Sequence, residues 1–469
     1  MRQYKSGVNF CLILATIFTF INSAQSQSIE DSLKLIKYKE VANEFVTAAL
    51  TERKGYDVLK NLCRIGPRLS GSKNSLIAIN WAKSKMIEMG FDSVWLQAVM
   101  VPHWERGNIE EATLVDSNNY PYKKLEITAL GGSVGTSSEG ITTNVLEVKS
   151  FDELKLKQNE AKGKIIFFSR PIDPANINTF GGYGDAGEQR FYGAIEGAKY
   201  GAVGVIIRSL TTKYDNVPHT GVMFYSDTLP KIPAVAVGYQ DADLLSQVLK
   251  KFPDLKLNIK LNCEILPDAK SYNVIGEIVG SELPDEIIVV GGHLDSWDVG
   301  EGAHDDGAGC IQTVEVLDLF KRLNIKPKRT IRVVLFINEE NGSRGSKEYA
   351  AYSDSLNLYH LAAIESDRGA FTPRGFTVET DSTTFKKLES WLPILNAANI
   401  DWIHKGGSGV DISSLNSAKA LIGYAPDGQR YFDYHHSAND VFSAVHPREF
   451  ELGTAAIAIL TYLLSEEGL

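Results

Sequence analysis

The chain has 469 residues, 43% of them hydrophobic and 10% aromatic, enough to bury a large core in roughly three domain-sized units. Its 48 basic and 58 acidic residues give a net charge of −10, which argues against nucleic acid as a partner. The four cysteines fit no zinc-thiolate or disulfide spacing, and Cys310 reads as a small core residue.

Residues 1–26 carry the marks of an export signal. Arg2 and Lys5 precede the apolar run Val8 to Ile21, and Asn22 to Ser26 supplies small residues for cleavage near Ala24 or Ser26. The run is shorter than the roughly 20 residues that span a bilayer, so no stable membrane anchor is expected. The mature protein is expected to be secreted or periplasmic.

Residues 27–130 form the first part of one domain. Helical spacing runs from Asp31 to Lys60, a turn at Gly66 to Ser72 leads into a helix over Leu76 to Met89, and Val94 to Val101 reads as a strand. The Gly, Ser and Thr of 131–140 mark an exit into a second unit over 131–265, with strands at Lys164–Ser169, Val203–Arg208 and Ile232–Val237. There Gly181 to Gly187 reads as a long loop. The unit contains no cluster of acid-base or metal-binding residues and is assigned to structure or substrate access. From 266 to 469 apolar strands alternate with helices, at about Ile287–Gly291, Ile331–Asn338, Ala362–Glu365 and Ala420–Tyr424. That alternation predicts an α/β sandwich, a mostly parallel sheet covered on both faces with ligands at the strands' carboxyl ends.

The chemistry-bearing residues follow those strands. His293 and Asp295, two apart on extended chain, project to one side, so the imidazole can bind a metal through one nitrogen while the carboxylate fixes the other. Asp305 and Asp306 precede Gly307 and a helix, where one acid reads as a cap. Glu339 and Glu340 end a strand, which suits one ligand and one proton carrier. Asp367 follows the next strand, and His435 and His436 follow the last. Asp305, Glu340 and Asp367 with a shared hydroxide carry four negative charges, which two Zn²⁺ ions neutralise; water shared between such ions becomes a nucleophile near neutral pH.

Together these residues resemble the co-catalytic zinc exopeptidases, the group of bacterial aminopeptidases and glutamate carboxypeptidases. The phrases His293-Leu294-Asp295-Ser296-Trp297-Asp298-Val299-Gly300, Asp305-Asp306-Gly307, Glu365-Ser366-Asp367 and His435-His436-Ser437 carry the likeness, as does Gly66 to Ser72. The resemblance implies an α/β/α zinc-exopeptidase sandwich, with residues 131–265 as an inserted protease-associated-type domain. It implies two zinc ions per chain, one held by His293 and Asp367, the other by Glu340 and His436, with Asp305 bridging. Asp295 would orient His293, and Glu339 would be the general base. The peptide bond between Asp305 and Asp306 would be cis. His435 stands where many relatives have a tyrosine and would stabilise the oxyanion, while His304 would shape the pocket. The implied substrates are small peptides or dipeptides, and a homodimer is expected. For substrate binding the candidates are Arg344, Arg368, Ser408 and Gly409, since arginine forks suit carboxylates. Which end of the peptide is read stays open. Rival readings are a catalytically silent receptor ectodomain of the same fold and a glutaminyl cyclase.

Overall fold

The computed structural model describes residues 32–115 and 123–469; the export signal expected at 1–26 lies outside them. Two eight-stranded sheets organise these residues. The first runs, in spatial order, β1 (Ser93–Glu105), β10 (Glu264–Ile278), β12 (Arg329–Phe336), β11 (Leu283–His293), β13 (Tyr359–Glu365), β16 (Leu421–Pro426), β14 (Pro373–Glu379) and β15 (Trp402–Lys405).

Both faces of its central strands are apolar, which explains the sandwich. In β11, Ile288 and Val290 join one core while Ile287 and Val289 join the other; in β12, Ile331, Val333 and Leu335 alternate in the same way with Val334 and Phe336. With a side-chain period of two, such a strand needs cover on each side. Helices 32–52, Lys54–Cys63, Lys73–Glu88, Ala308–Arg322 and Pro447–Glu467 cover one face, and helix Arg344–Ser355 packs on the other. The chain crosses from β11 to β12 on one side and then returns to β13 on the other, both parallel to β11. A crevice opens at the carboxyl ends where the winding reverses, and β11 ends at His293 on its edge.

The second sheet has the order β3 (Lys123–Leu125), β2 (Glu110–Val115), β9 (Lys256–Leu261), β5 (Ile141–Val148), β6 (Ile165–Phe168), β7 (Gly204–Arg208), β8 (Ala234–Val237) and β4 (Ile127–Ala129). Strands β2 to β4 therefore belong to this sheet, although the sequence reading kept them with the first part of the other domain. They are short, and the partners of β2 and β4, strands β9 and β8, lie more than a hundred residues downstream, beyond the reach of local periodicity.

The expected loop at Gly181 to Gly187 is instead the start of helix Thr179–Lys199, capped by the Asn178 side chain on the Gly181 N–H. Its glycines serve close packing. A Cβ at Gly193 would lie 3.1 Å from Phe168, and one at Gly197 3.2 Å from Val205, so small residues let this helix lie directly on β6 and β7. Among the described residues no helix is long and apolar enough to cross a membrane.

Candidate metal centre

Every carboxyl end around β11 delivers a donor to one place. His293 Nε2 lies 3.2 Å from Asp305 Oδ1 and 3.5 Å from Asp367 Oδ1. His436 Nε2 lies 3.4 Å from Asp305 Oδ2 and 3.0 Å from Glu340 Oε2. Donors about 2.0–2.2 Å from a tetrahedral zinc stand about 3.3 Å from each other, and all four separations cluster there. Asp305 Oδ1 faces His293 and its Oδ2 faces His436, the disposition of a bridging carboxylate. Asp305 Oδ2 and Asp367 Oδ1 have no hydrogen-bond partner, so the donor set fits two divalent cations.

The electrostatics make the same demand. Burial pushes Glu340 well above the ordinary carboxyl value, reinforced by Asp305 and Glu339, and Asp367 is raised by burial and by Asp305. Glu339 is pushed up to about 8 by burial and by the carboxylates of Asp367, Asp305 and Asp295. Burial alone would lower the His293 pKa, but Asp367, Asp305 and Glu339 raise it well above ordinary. Such acids hold protons unless cations take their place.

The local backbone explains the delivery. Asp306 serves as the cap, its carboxylate accepting the Gly309 N–H at 3.0 Å and the His293 N–H at 3.1 Å, which frees Asp305 to face the histidines. The bond between them is cis. A Cβ at Gly292 would lie 2.2 Å from Asp306 Oδ2, so this glycine is needed for the approach. Asp295 works differently from the expected orienter. Its carboxylate accepts the N–H groups of Asn338 at 2.7 Å and Glu339 at 3.2 Å, while His293 Nδ1 meets its backbone carbonyl at 3.0 Å and its carboxylate at 4.0 Å. The side chain thus ties the two acid-bearing strand ends together. His304 is wedged against Phe371, ring centroids 4.5 Å apart, and its Nδ1 accepts the Ala370 N–H; it faces structure. His435 stacks on His436 at 3.4 Å between centroids, and its Nε2 lies 3.7 Å from Asp305 Oδ2.

A cleft of about 530 Å³ opens over the centre, lined among others by Asp305, Glu339, Glu340, Asp367, His435 and His436. Of the four substrate candidates none lines it. Arg344 is held outside by Asp268 and the Met100 carbonyl. Arg368 bonds the Gly407 carbonyl and lies over Phe180. The Ser408 hydroxyl and N–H are both engaged by Glu379, and Gly409 packs on Glu365. Asp411, two residues on, is buried with both oxygens unpartnered.

Several contributors had been given no role of their own in the sequence reading. Arg68 is fully buried and donates to the carbonyls of Leu294, Glu301 and Gly302, pinning both sides of the loop between β11 and Asp305. Asp440 accepts the N–H groups of His304 and Asp305. Trp297 donates its backbone N–H to Glu340 and packs its ring against His436 and Gly131. The cleft also takes Tyr183, Arg190, Phe191, Val222 and Phe224 from the second-sheet unit, which the sequence reading had left without a chemical role.

The model of peptidase family M28 matches residues 273–459, the stretch that carries every donor above. Carboxypeptidase Q of Bos taurus is 34% identical over 467 residues, covering 98% of this chain and 96% of that protein. The Xenopus laevis carboxypeptidase Q is 36% identical over 439 residues, covering 92% and 91%. A crystal structure of a peptidase M28 precursor from Shewanella amazonensis superposes with a TM-score of 0.86 at 33% identity, covering 92% of this chain and 97% of that one. A zinc aminopeptidase from Bacillus subtilis shares the fold, with a TM-score of 0.64 at 18% identity over 90% of this chain and 97% of that one. The chain belongs to peptidase family M28 and is a metallo-exopeptidase. Within that class it is similar to carboxypeptidase Q along nearly its whole length.

Proposed function

We propose that this protein is an exported exopeptidase that hydrolyses small peptides at a two-zinc centre formed by His293, Asp305, Glu340, Asp367 and His436. The observation that carries the reading is the set of four imidazole-carboxylate separations of 3.0 to 3.5 Å, paired so that Asp305 is shared. Two zinc ions held there would polarise the scissile carbonyl and make water nucleophilic near neutral pH.

The remaining chemistry falls to the chain itself. Glu339 lines the cleft beside Asp305 and Asp367, and its raised affinity for a proton suits it to take one from the attacking water and deliver it to the leaving amine. Asp295 holds the Glu339 N–H and so fixes where that carboxylate begins. His435 is kept neutral, its pKa lowered to about 3 by burial; a neutral imidazole facing the cleft offers an N–H to the developing oxyanion. The second-sheet unit is the counterpart of an inserted protease-associated-type domain and walls one side of the cleft.

The test is hydrolysis of a dipeptide panel by zinc-loaded enzyme, with amino-blocked and carboxyl-blocked versions alongside. Zinc-dependent cleavage supports the reading, and blocking one end or the other separates aminopeptidase from carboxypeptidase. Absence of cleavage across the panel at full zinc occupancy overturns it.

A further inference from the structure

The turn after Glu339 and Glu340 carries a side-chain network that the metal centre does not use. It begins at Asn338, which is fully buried and left-handed at φ 70°. Its side-chain oxygen accepts the Arg344 N–H at 3.3 Å, and a backbone N–H can only donate. That fixes the Asn338 carboxamide, so its nitrogen is the group that meets Ser70 Oγ, at 2.9 Å, and Asn341 Oδ1. Gly342 makes room for the arrangement, since a Cβ there would lie 2.3 Å from Asn338 Oδ1.

The same logic passes to the next amide. Asn341 receives one donor from Asn338 and a second from the Ser70 hydroxyl at 2.9 Å, so the atom between them is its oxygen, with both lone pairs used. A flipped Asn341 would set amino group against amino group and lose both bonds. Its nitrogen is therefore turned away from the clamp with two N–H groups, and among the described residues these meet no acceptor. Ser70 is 1% exposed, which keeps water from loosening the clamp. Asn341 itself lines the cleft beside Glu339, Glu340 and Asp305.

We propose that the Asn341 carboxamide donates to the carbonyl oxygen of the scissile bond and holds it as it takes on negative charge. Asp305 and Glu340 face the histidines and Glu339 is committed to the attacking water, whereas a dipeptide brings a single amide carbonyl as acceptor. A donor fixed before the substrate arrives needs no reorganisation when charge develops, so it acts mainly on the transition state. The inference rests on the peptidase reading above and adds a catalytic residue to it. Ser70 and Asn338 act through Asn341 and are positioning residues, which gives the Gly66 to Ser72 turn a part in the chemistry.

The experiment compares zinc-loaded wild type with Asn341→Asp, which keeps the acceptor and exchanges the donor for oxygen, and Asn341→Ala, which removes both. Kinetics use a dipeptide ending in leucine and its carboxyl-terminal amide. Calorimetry uses a phosphinic analogue of the dipeptide, tetrahedral at the scissile position, beside free leucine. The expected result is a fall in kcat of about 10- to 100-fold in both variants with KM little changed, and the same fall for acid and amide. The phosphinic analogue should lose affinity by a similar factor while leucine binds as before. Unchanged zinc content and melting temperature in Asn341→Ala show an intact centre. Wild-type kcat in Asn341→Ala, a loss confined to the free acid, or a loss that tracks missing zinc in both variants would overturn the assignment. A wild type that cleaves no peptide, yet binds the phosphinic analogue more tightly than Asn341→Ala does, would sink the peptidase reading and leave the donor standing.

Discussion

Glu339 and Glu340 are chain neighbours with opposite fates. Glu340 is turned toward His436 and the Trp297 N–H, whereas Glu339 points into the cleft with no ion-pair partner among the described residues. Glu339→Gln keeps shape and removes the titrating proton, so zinc content should stay at the wild-type level while kcat falls by about 10²- to 10⁴-fold. Metal analysis beside steady-state kinetics checks both halves; a variant that turns over normally would strip Glu339 of its role. His436→Ala removes the imidazole that faces Glu340 and one oxygen of Asp305, and should lower the zinc count from two to one per chain. Trp297 offers a test from the other side of the site. A Cβ on Gly131 would lie 1.8 Å from its ring, so Gly131→Ala should cost about 1 to 3 kcal/mol in denaturant unfolding and weaken zinc binding by displacing the ring from His436. Unaltered stability would mean that the indole has somewhere else to go.

At the scale of elements, the strands that carry donors were legible because each is an uninterrupted apolar run ending in a polar phrase. Leu335 and Phe336 lead to Glu339 and Glu340, and Ile364 leads to Asp367. The conformation of Asp305 and Asp306 was legible only through resemblance. What escaped were groups whose meaning depends on where the chain returns: Arg68 looks like any turn arginine until its three carbonyl partners are assembled. The first turns of helix Thr179–Lys199 were read as a loop because they are rich in glycine, and the helix buries mostly glycine and alanine, which leaves no apolar period to detect. Arg344 and Arg368 were singled out for following donor strands, yet neither lines the cleft, whose arginine, Arg190, comes from a helix on the other sheet.

Helices Ala308–Arg322 and Pro447–Glu467 carry a second prediction of their own. Burial pushes Glu315 up to about 8, reinforced by Asp318 and only partly offset by Arg322, and burial raises Glu451 to about 7. One oxygen of each lacks a partner. An acid whose folded pKa is raised stabilises the fold most below its ordinary value of 4.5 and loses that contribution as pH climbs through the folded value. Stability should therefore decline between about pH 5 and pH 8. Glu315→Gln with Glu451→Gln should flatten the decline, read as melting temperature against pH; an unchanged slope would show that these carboxyls ionise freely.

The whole molecule is two sheets fastened around one loop system. Arg106, beside the second sheet, grips Asp298 of the loop after β11 together with Glu110 and the Ala129 carbonyl. His219 and Thr220 hold the backbone carbonyls of His435 and His436 at 2.6 and 2.9 Å, so the second-sheet unit supports the last donor as well as walling the cleft. Cations that neutralise the buried acids between them should stabilise the assembly as a unit. Binding linkage amounts to about 4 kcal/mol at metal concentrations a thousandfold above Kd, so chelation should lower the melting temperature clearly and zinc should restore it.

Anomalous diffraction at the zinc edge, from crystals of the zinc-loaded enzyme, tests the central claim most directly. Two peaks about 3.5 to 4 Å apart are expected, one beside His293 and Asp367, the other beside His436 and Glu340, with Asp305 between them. A single peak, or peaks away from these five side chains, would contradict the two-zinc centre.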